Sequence, residues 1–324
     1  MLAFAGHANI AASQGANLVF SGPAPDVFSG GSLIIQNGGG ILVNDQGQLV
    51  IRDGGDLVIE DGAAMDITDS GSVTIEDSTA SVAGTFSMQS TGRVEFNNSF
   101  LNLNSQNFVQ SSGTFELDSN SSINGDGAYT LNGGTAVMNG QVVLQSGFGI
   151  PGVFVPPPST IAVNGGTLQG SGLFFTDGVV NTGGTVAPGN STGTMTMLND
   201  YTQGPGGALA IEIDSLLAFD VLDILGGAEL DGILDLQVDA GYAATAADGD
   251  MFTIVNWNSF SGGFASVTGL NFAPDKFFSL DYGATGLTLT VSSSVVAAPE
   301  PGVIALFGLG LAGIGIVRRR RPPS

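Results

Sequence analysis

The sequence predicts an all-β protein: a parallel β-solenoid, or β-helix, closed by a C-terminal β cap and followed by one C-terminal transmembrane helix. Three observations predict it. Short apolar triplets recur at a fixed step of eight residues from Leu33 onward. Glycine is abundant, 51 of 324 residues, and stands between those triplets. An uncharged apolar run at 302–317 lies close to the C-terminus and is followed at once by four arginines.

The repeat justifies the first element. Leu33-Ile34-Ile35, Ile41-Leu42-Val43, Leu49-Val50-Ile51, Leu57-Val58-Ile59, Met65-Asp66-Ile67 and Val73-Thr74-Ile75 begin eight residues apart. Runs this short are too brief for helices, and their branched residues suit a pleated surface. Gly38, Gly47, Gly54, Gly62 and Gly71 fall between them with Asn or Asp nearby, the residues that permit left-handed turns. Each unit is a strand plus a tight corner. An antiparallel meander and a parallel solenoid both use such units. Asn-Gly or Asp-Gly occurs at some corners (Asn37-Gly38, Asp53-Gly54, Asp61-Gly62) but not regularly as a two-residue hairpin loop, which favours the solenoid. Three sides would make a coil of roughly 24 residues that buries its inward residues against its neighbours. The solenoid is assigned to 13–183. Its pattern loosens but persists in Val94-Glu95-Phe96, Leu101-Asn102-Leu103 and Phe115-Glu116-Leu117, then in Asn-Gly-Gly-Thr at 132–135 and 164–167 and Thr-Gly-Gly-Thr at 182–185. Pro151 and Pro156-Pro157-Pro158 cannot donate ladder hydrogen bonds, so 151–159 is expected to loop out.

From 184 to 292 the texture changes to longer apolar segments, among them Leu209-Ala210-Ile211-Glu212-Ile213, Phe219 to Ile224, Ala228 to Val238 and Met251-Phe252-Thr253-Ile254-Val255. This stretch resembles the end of an autotransporter-type passenger, and that resemblance implies the closing coils of a right-handed β-helix. Alternation in Leu287-Thr288-Leu289-Thr290-Val291 supplies a last strand.

The tail, 293–324, reads as an address. Pro299-Glu300-Pro301 is followed by the apolar run 302–317 and by Arg318, Arg319, Arg320 and Arg321. As a helix that run spans about 24 Å, short for a bilayer but workable with snorkelling arginines and local thinning. The positive-inside rule holds the arginines in the cytoplasm and places the rest across the membrane. In this order the three parts resemble the PEP-CTERM sorting signal of Gram-negative bacteria. That resemblance implies export, an inner-membrane intermediate, processing near the Pro-Glu-Pro element by an exosortase-type enzyme, and delivery to the cell surface or the extracellular matrix with its exopolysaccharide and biofilm. An exported chain also needs an entry signal. The small apolar residues of 1–12 read as the remnant of one, with cleavage expected near Ala8 to Ala12; intact mass of the native protein tests this.

Composition limits the chemistry. Seven basic residues face 29 acidic ones, and four of the seven are the terminal arginines. A surface so acidic does not bind nucleic acid through phosphates. With no cysteine there is no disulfide, thiol nucleophile or cysteine zinc site. The single histidine, His7, falls in the leader remnant, so no catalytic residue is assigned and no cofactor motif is found. Carboxylates remain. Asp45, Asp53, Asp61, Asp69 and Asp77 recur at the same step of eight, each after a strand. They cap corners, or, in a three-sided coil, Asp45 stacks on Asp69 and Asp53 on Asp77, where like charges at about 4.8 Å call for a cation such as calcium. The expected function is a structural or adhesive surface protein, not an enzyme. A carbohydrate-active β-helix enzyme (polysaccharide lyase or hydrolase) and a calcium-dependent binder of matrix polysaccharide stand as alternatives. For catalysis the sequence offers only Arg52, Arg93 and Lys276 as cations beside its carboxylates. Trp257, the one tryptophan, reads as a packing residue.

Overall fold

The structure, a computed structural model, describes residues 3–5, 10–12, 17–22, 25–36, 38–104, 107–145 and 159–293. Each strand of the stack pairs in parallel with the strand three positions later in sequence. The chain therefore lays down three strands per turn and returns above itself. The first face carries Gln48–Arg52, Ser72–Glu76, Arg93–Asn97 and Thr114–Leu117. The second carries Asp56–Ile59, Thr79–Val82 and Phe100–Leu103. The third carries Ala64–Ile67, Thr85–Met88 and Phe108–Gln110. Nine such coils run from Ala3–Ala5 to Tyr201–Gln203 among the described residues. The parallel solenoid, not the meander, is the architecture. Within the stretch read as a leader remnant, Ala3–Ala5 and Ile10–Ala12 pair in parallel with Pro25–Ser29 and Ser32–Ile35.

Alternation explains the interior. The first and third residues of every triplet are buried and the middle one faces out: Leu49 and Ile51 are fully buried on either side of Val50, as are Met65 and Ile67 around Asp66. Leu33, Leu57 and Ala80 stand in register, so the early coils take 24 and then 23 residues. Burying such a side chain stabilises by about 1.5–3 kcal/mol. Midway along the rod the column becomes aromatic. Phe86 stacks on Phe108 at 4.4 Å, and Phe108 meets Tyr129 at 5.0 Å.

Corners are tight for two different reasons. Gly54 has φ +77°, a left-handed value that a side chain strains. Gly71 instead lies under the coil beside it, where a Cβ would come within 2.2 Å of the Val43 carbonyl oxygen. The Gly-Gly-Thr motifs stack: Thr135, Thr167 and Thr185 are register partners on the first face. Beside them Asn164 donates to Asn132 (3.1 Å) and accepts from Thr182 (2.9 Å). The proline-rich stretch lies outside the described residues, and the coil resumes at Thr160–Val163, where Ile161 pairs with Tyr129.

Three polar residues occupy inward positions of the third face: Gln110, Asn181 and Gln203, all buried. They staple the corner that leads to the next coil. The Gln203 amide donates to the carbonyls of Gly207 (3.2 Å), Asp231 (2.8 Å) and Ile233 (3.1 Å), while its oxygen accepts from the Tyr201 hydroxyl at 2.7 Å. Gln110 repeats the arrangement with Gly113, Thr135 and Tyr129. Satisfied in this way, a buried amide avoids the penalty of an unmade hydrogen bond.

The end of the stack departs from the pattern. Strands lengthen to eight, ten and twelve residues in Ala208–Ser215, Val221–Leu230 and Met251–Gly262. Gly286–Ser293 then pairs antiparallel with Met251–Gly262 and with Lys276–Tyr282. Phe252 is enclosed edge-on by Phe219, Tyr242 and Phe278 at 5.2–6.0 Å. Trp257 lies in register with Ile224 and stacks on Phe260 at 4.5 Å. The expected β cap is present. A short helix, Ala240–Thr245, sits beside it with Asp239 capping the amides of Gly241 and Tyr242. Among the described residues no helix is long and apolar enough to cross a membrane, and the expected span 302–317 lies outside them.

Candidate functional site

The structure brings four of the five corner aspartates together in pairs. Asp45 and Asp69 follow the register partners Val43 and Ile67, and Asp53 and Asp77 follow Ile51 and Ile75. All four have φ between 48° and 56°, the left-handed corner conformation in which Asp and Asn are tolerated. Asp61 has no acidic residue at its height in the next coil. The carboxylates bond side chains: Asp53 accepts from Ser29 (2.7 Å) and faces the Arg52 guanidinium (3.4 Å), and Asp77 accepts from Asn98 (2.6 Å). Capping of corner amides falls instead to Asp118, which accepts from the N–H groups of Asn98 and Asn120. Among the described residues no three Asp, Glu or His side chains gather as a metal ion requires.

Every basic residue of the rod is matched to a carboxylate. Arg93 bridges Glu95 and Glu116, the latter at 2.7 Å, and Lys276 meets Asp248 at 3.3 Å. Among the described residues these pairs leave no spare cation, and the outer surface stays negative. Trp257 is buried in the aromatic stack, a packing position.

One cleft on the rod was not legible in the sequence. It holds about 270 Å³ on the first face, floored by Thr167, Gln169 and Thr185 and walled by Asn190, Glu212 and Asp220. Its depth comes from two departures from the coil. The corner after Thr185–Pro188 folds back, so Gly170 and Gly189 exchange N–H to carbonyl bonds of 2.7 and 2.9 Å. The hairpin of Ala208–Ser215 with Ala218–Phe219 rises on the other side. Asp220 ties the two walls: one carboxyl oxygen accepts from Gly193 N–H (2.9 Å), the other from Glu212 N–H (2.8 Å). It is 1% exposed. Burial pushes its carboxyl up to about 7, opposed by those two amides and reinforced by the nearby charges of Glu212 and Asp214. With both oxygens occupied, Asp220 holds the cleft in shape. The cleft offers hydroxyls, amides and the Glu212 carboxylate, groups that bind polar ligands by hydrogen bonds.

The remaining sequence-predicted residues, Pro299, Glu300, Pro301, Arg318, Arg319, Arg320 and Arg321, lie outside the described residues. Compared with known protein families, residues 297–321 match the PEP-CTERM protein-sorting motif. No curated protein matches the chain. A chain with such a signal is exported, and here the cargo before the signal is a β-solenoid.

Proposed function

We propose that this protein is a rigid acidic rod that is exported, held briefly in the inner membrane by 302–317 with Arg318 to Arg321 in the cytoplasm, cut near Pro299-Glu300-Pro301 by an exosortase-type enzyme, and placed at the cell surface or in the extracellular matrix as a structural or adhesive component. The sorting motif directly after the rod is the observation that carries this reading. A β-solenoid supports it, because coils that touch only their neighbours make a long stiff body with large outer faces. Fractionation of wild-type cells and of cells lacking the processing enzyme tests it. The chain is expected outside the inner membrane in the first and retained there, at higher mass, in the second. Equal distribution in both removes the reading.

The stacked pairs Asp45/Asp69 and Asp53/Asp77 favour a second, overlapping reading in which calcium, held by two carboxylates with carbonyl and water oxygens and not by a cluster of three acidic side chains, neutralises the corner column and the rod binds matrix polysaccharide in a calcium-dependent way. Melting midpoints measured with calcium and with chelator would then differ; identical midpoints discard it. A non-enzymatic role is part of the main reading. Reproducible chain cleavage in a screen of uronic-acid and neutral polysaccharides, lost on substitution of Glu212, would replace it with a carbohydrate-active enzyme.

A further inference from the structure

Phe100 stands 52% exposed on the second face of the rod. It opens the strand Phe100–Leu103 and is the register partner of Thr79. Its ring borders a cavity of about 290 Å³ at the edge between the first and second faces, completed by Gly54, Asp77, Ser78, Thr79 and Asn98. The space beside Gly54 is open, since a Cβ there would meet nothing within 4 Å. Asp77 and Asn98 are fixed to each other by the 2.6 Å bond from the Asn98 amide, which leaves the second carboxyl oxygen and the Asn98 carbonyl oxygen for another molecule.

Ser78 adds an independent sign. It begins a column of buried serines in successive coils. Ser99 accepts from the Ser78 N–H (3.1 Å) and donates to Asn97 O (2.8 Å); Ser121 accepts from the Ser99 N–H (2.9 Å) and donates to Phe96 O (3.1 Å). The Ser78 hydroxyl alone has no hydrogen-bond partner, although the residue is only 6% exposed. In the coil on its other side the column has Gly55, which has no side chain and whose N–H is taken by the Arg52 carbonyl (3.1 Å). An unmade bond of this kind costs free energy that a ligand hydroxyl would recover after a turn of the serine about χ1.

We propose that this edge is a binding subsite for one ring of a neutral glycan. The C–H groups on one side of a pyranose carry slight positive charge and pack against the negative face of the Phe100 ring. Its hydroxyls donate to Asp77 and Asn98 and engage Ser78. No basic side chain lines the cavity, so a uronate, sulfate or phosphate ester would meet only the repulsion of an acidic rod. This deepens the matrix reading given above and rests on it.

The test uses the purified full-length protein with cellohexaose, mannohexaose, galactohexaose and oligogalacturonate, followed by saturation-transfer NMR and calorimetry. At least one neutral oligosaccharide is expected to bind and oligogalacturonate is not. Phe100→Ala should weaken binding about tenfold or more, as loss of an aromatic anchor does. Phe100→Trp should retain it, and Ser78→Ala should weaken it roughly threefold to tenfold. Leu173→Ala, in the same outward column three coils away, should bind as the parent does. Circular dichroism confirms that each variant is folded. The proposal is overturned by folded protein that binds none of the neutral sugars, by preference for oligogalacturonate, or by full binding in Phe100→Ala. None of these results bears on where the cell sends the protein, so failure here and failure of the sorting reading are separable.

Discussion

The middle of the rod and its C-terminal end solve opposite problems with the same residues. From Gln48 to Gln110, strands of three to five residues stack in parallel, and each coil is a template for the next. Nothing in that rule tells the stack where to stop. Beyond Tyr201–Gln203 the chain stops it in steps: strands lengthen but stay parallel as far as Met251–Gly262, then Lys276–Tyr282 and Gly286–Ser293 add antiparallel pairing, and Phe252, Trp257, Phe260, Phe278 and Tyr282 pack in that last layer. A parallel solenoid is uniform by construction, so its ends must be built by breaking the repeat. An uncovered end would expose both apolar core and unpaired strand edges.

That contrast is sharpest at Phe252. Phe252→Ala removes a ring with three edge-to-face aromatic neighbours, and the expected loss is about 3–5 kcal/mol, measured by urea unfolding. If the variant melts like the parent, the aromatic cap is not what closes the rod. The interior staples come next. Gln203→Ala strips a shared donor from three carbonyls and the acceptor from the buried Tyr201 hydroxyl, with an expected cost of about 1–3 kcal/mol. A neutral result would mean that the coils need no polar register.

Asp220 supplies a pH signature for the boundary between the two regions. Its carboxyl is raised from 3.8 to about 7 in the folded state, so the folded protein binds more protons across that window. Its contribution is fully present below 3.8 and is lost as pH rises through about 7. The parent should therefore lose stability between those limits faster than Asp220→Asn, whose amide does not titrate. Parallel slopes in urea titrations would contradict this. The smallest effect belongs to the corners. Asp45→Asn keeps a residue that accepts the left-handed conformation but removes one of two stacked charges. It should stabilise by about 0.2–1 kcal/mol at low salt and by nothing measurable in high salt.

The solenoid was legible because its signal is local. Alternation within Leu49-Val50-Ile51 and its neighbours states which residues turn inward, and the step of eight sets the distance between corners. The sorting tail was legible for a similar reason: order and composition of a short segment carry the whole message. The Asp220 cleft and the Phe100 edge were not. Asp220 is one of 29 acidic residues, and no neighbour in sequence marks it as the one whose oxygens meet Gly193 and Glu212. Phe100 sits beside Leu101 and Leu103, both fully buried, and only the register of its strand turns it outward beside Asp77 and the orphaned Ser78 hydroxyl.

By itself, then, the sequence determined the strand repeat, the acidic composition and the export signal, because each is written in the residues themselves and needs no contact between distant ones. Only the tertiary structure decided that the sides number three, that Gln110, Asn181 and Gln203 are buried staples, and which side chains share a cleft. Those depend on residues some twenty positions apart meeting at one height, and that meeting is set by the length of every coil between them.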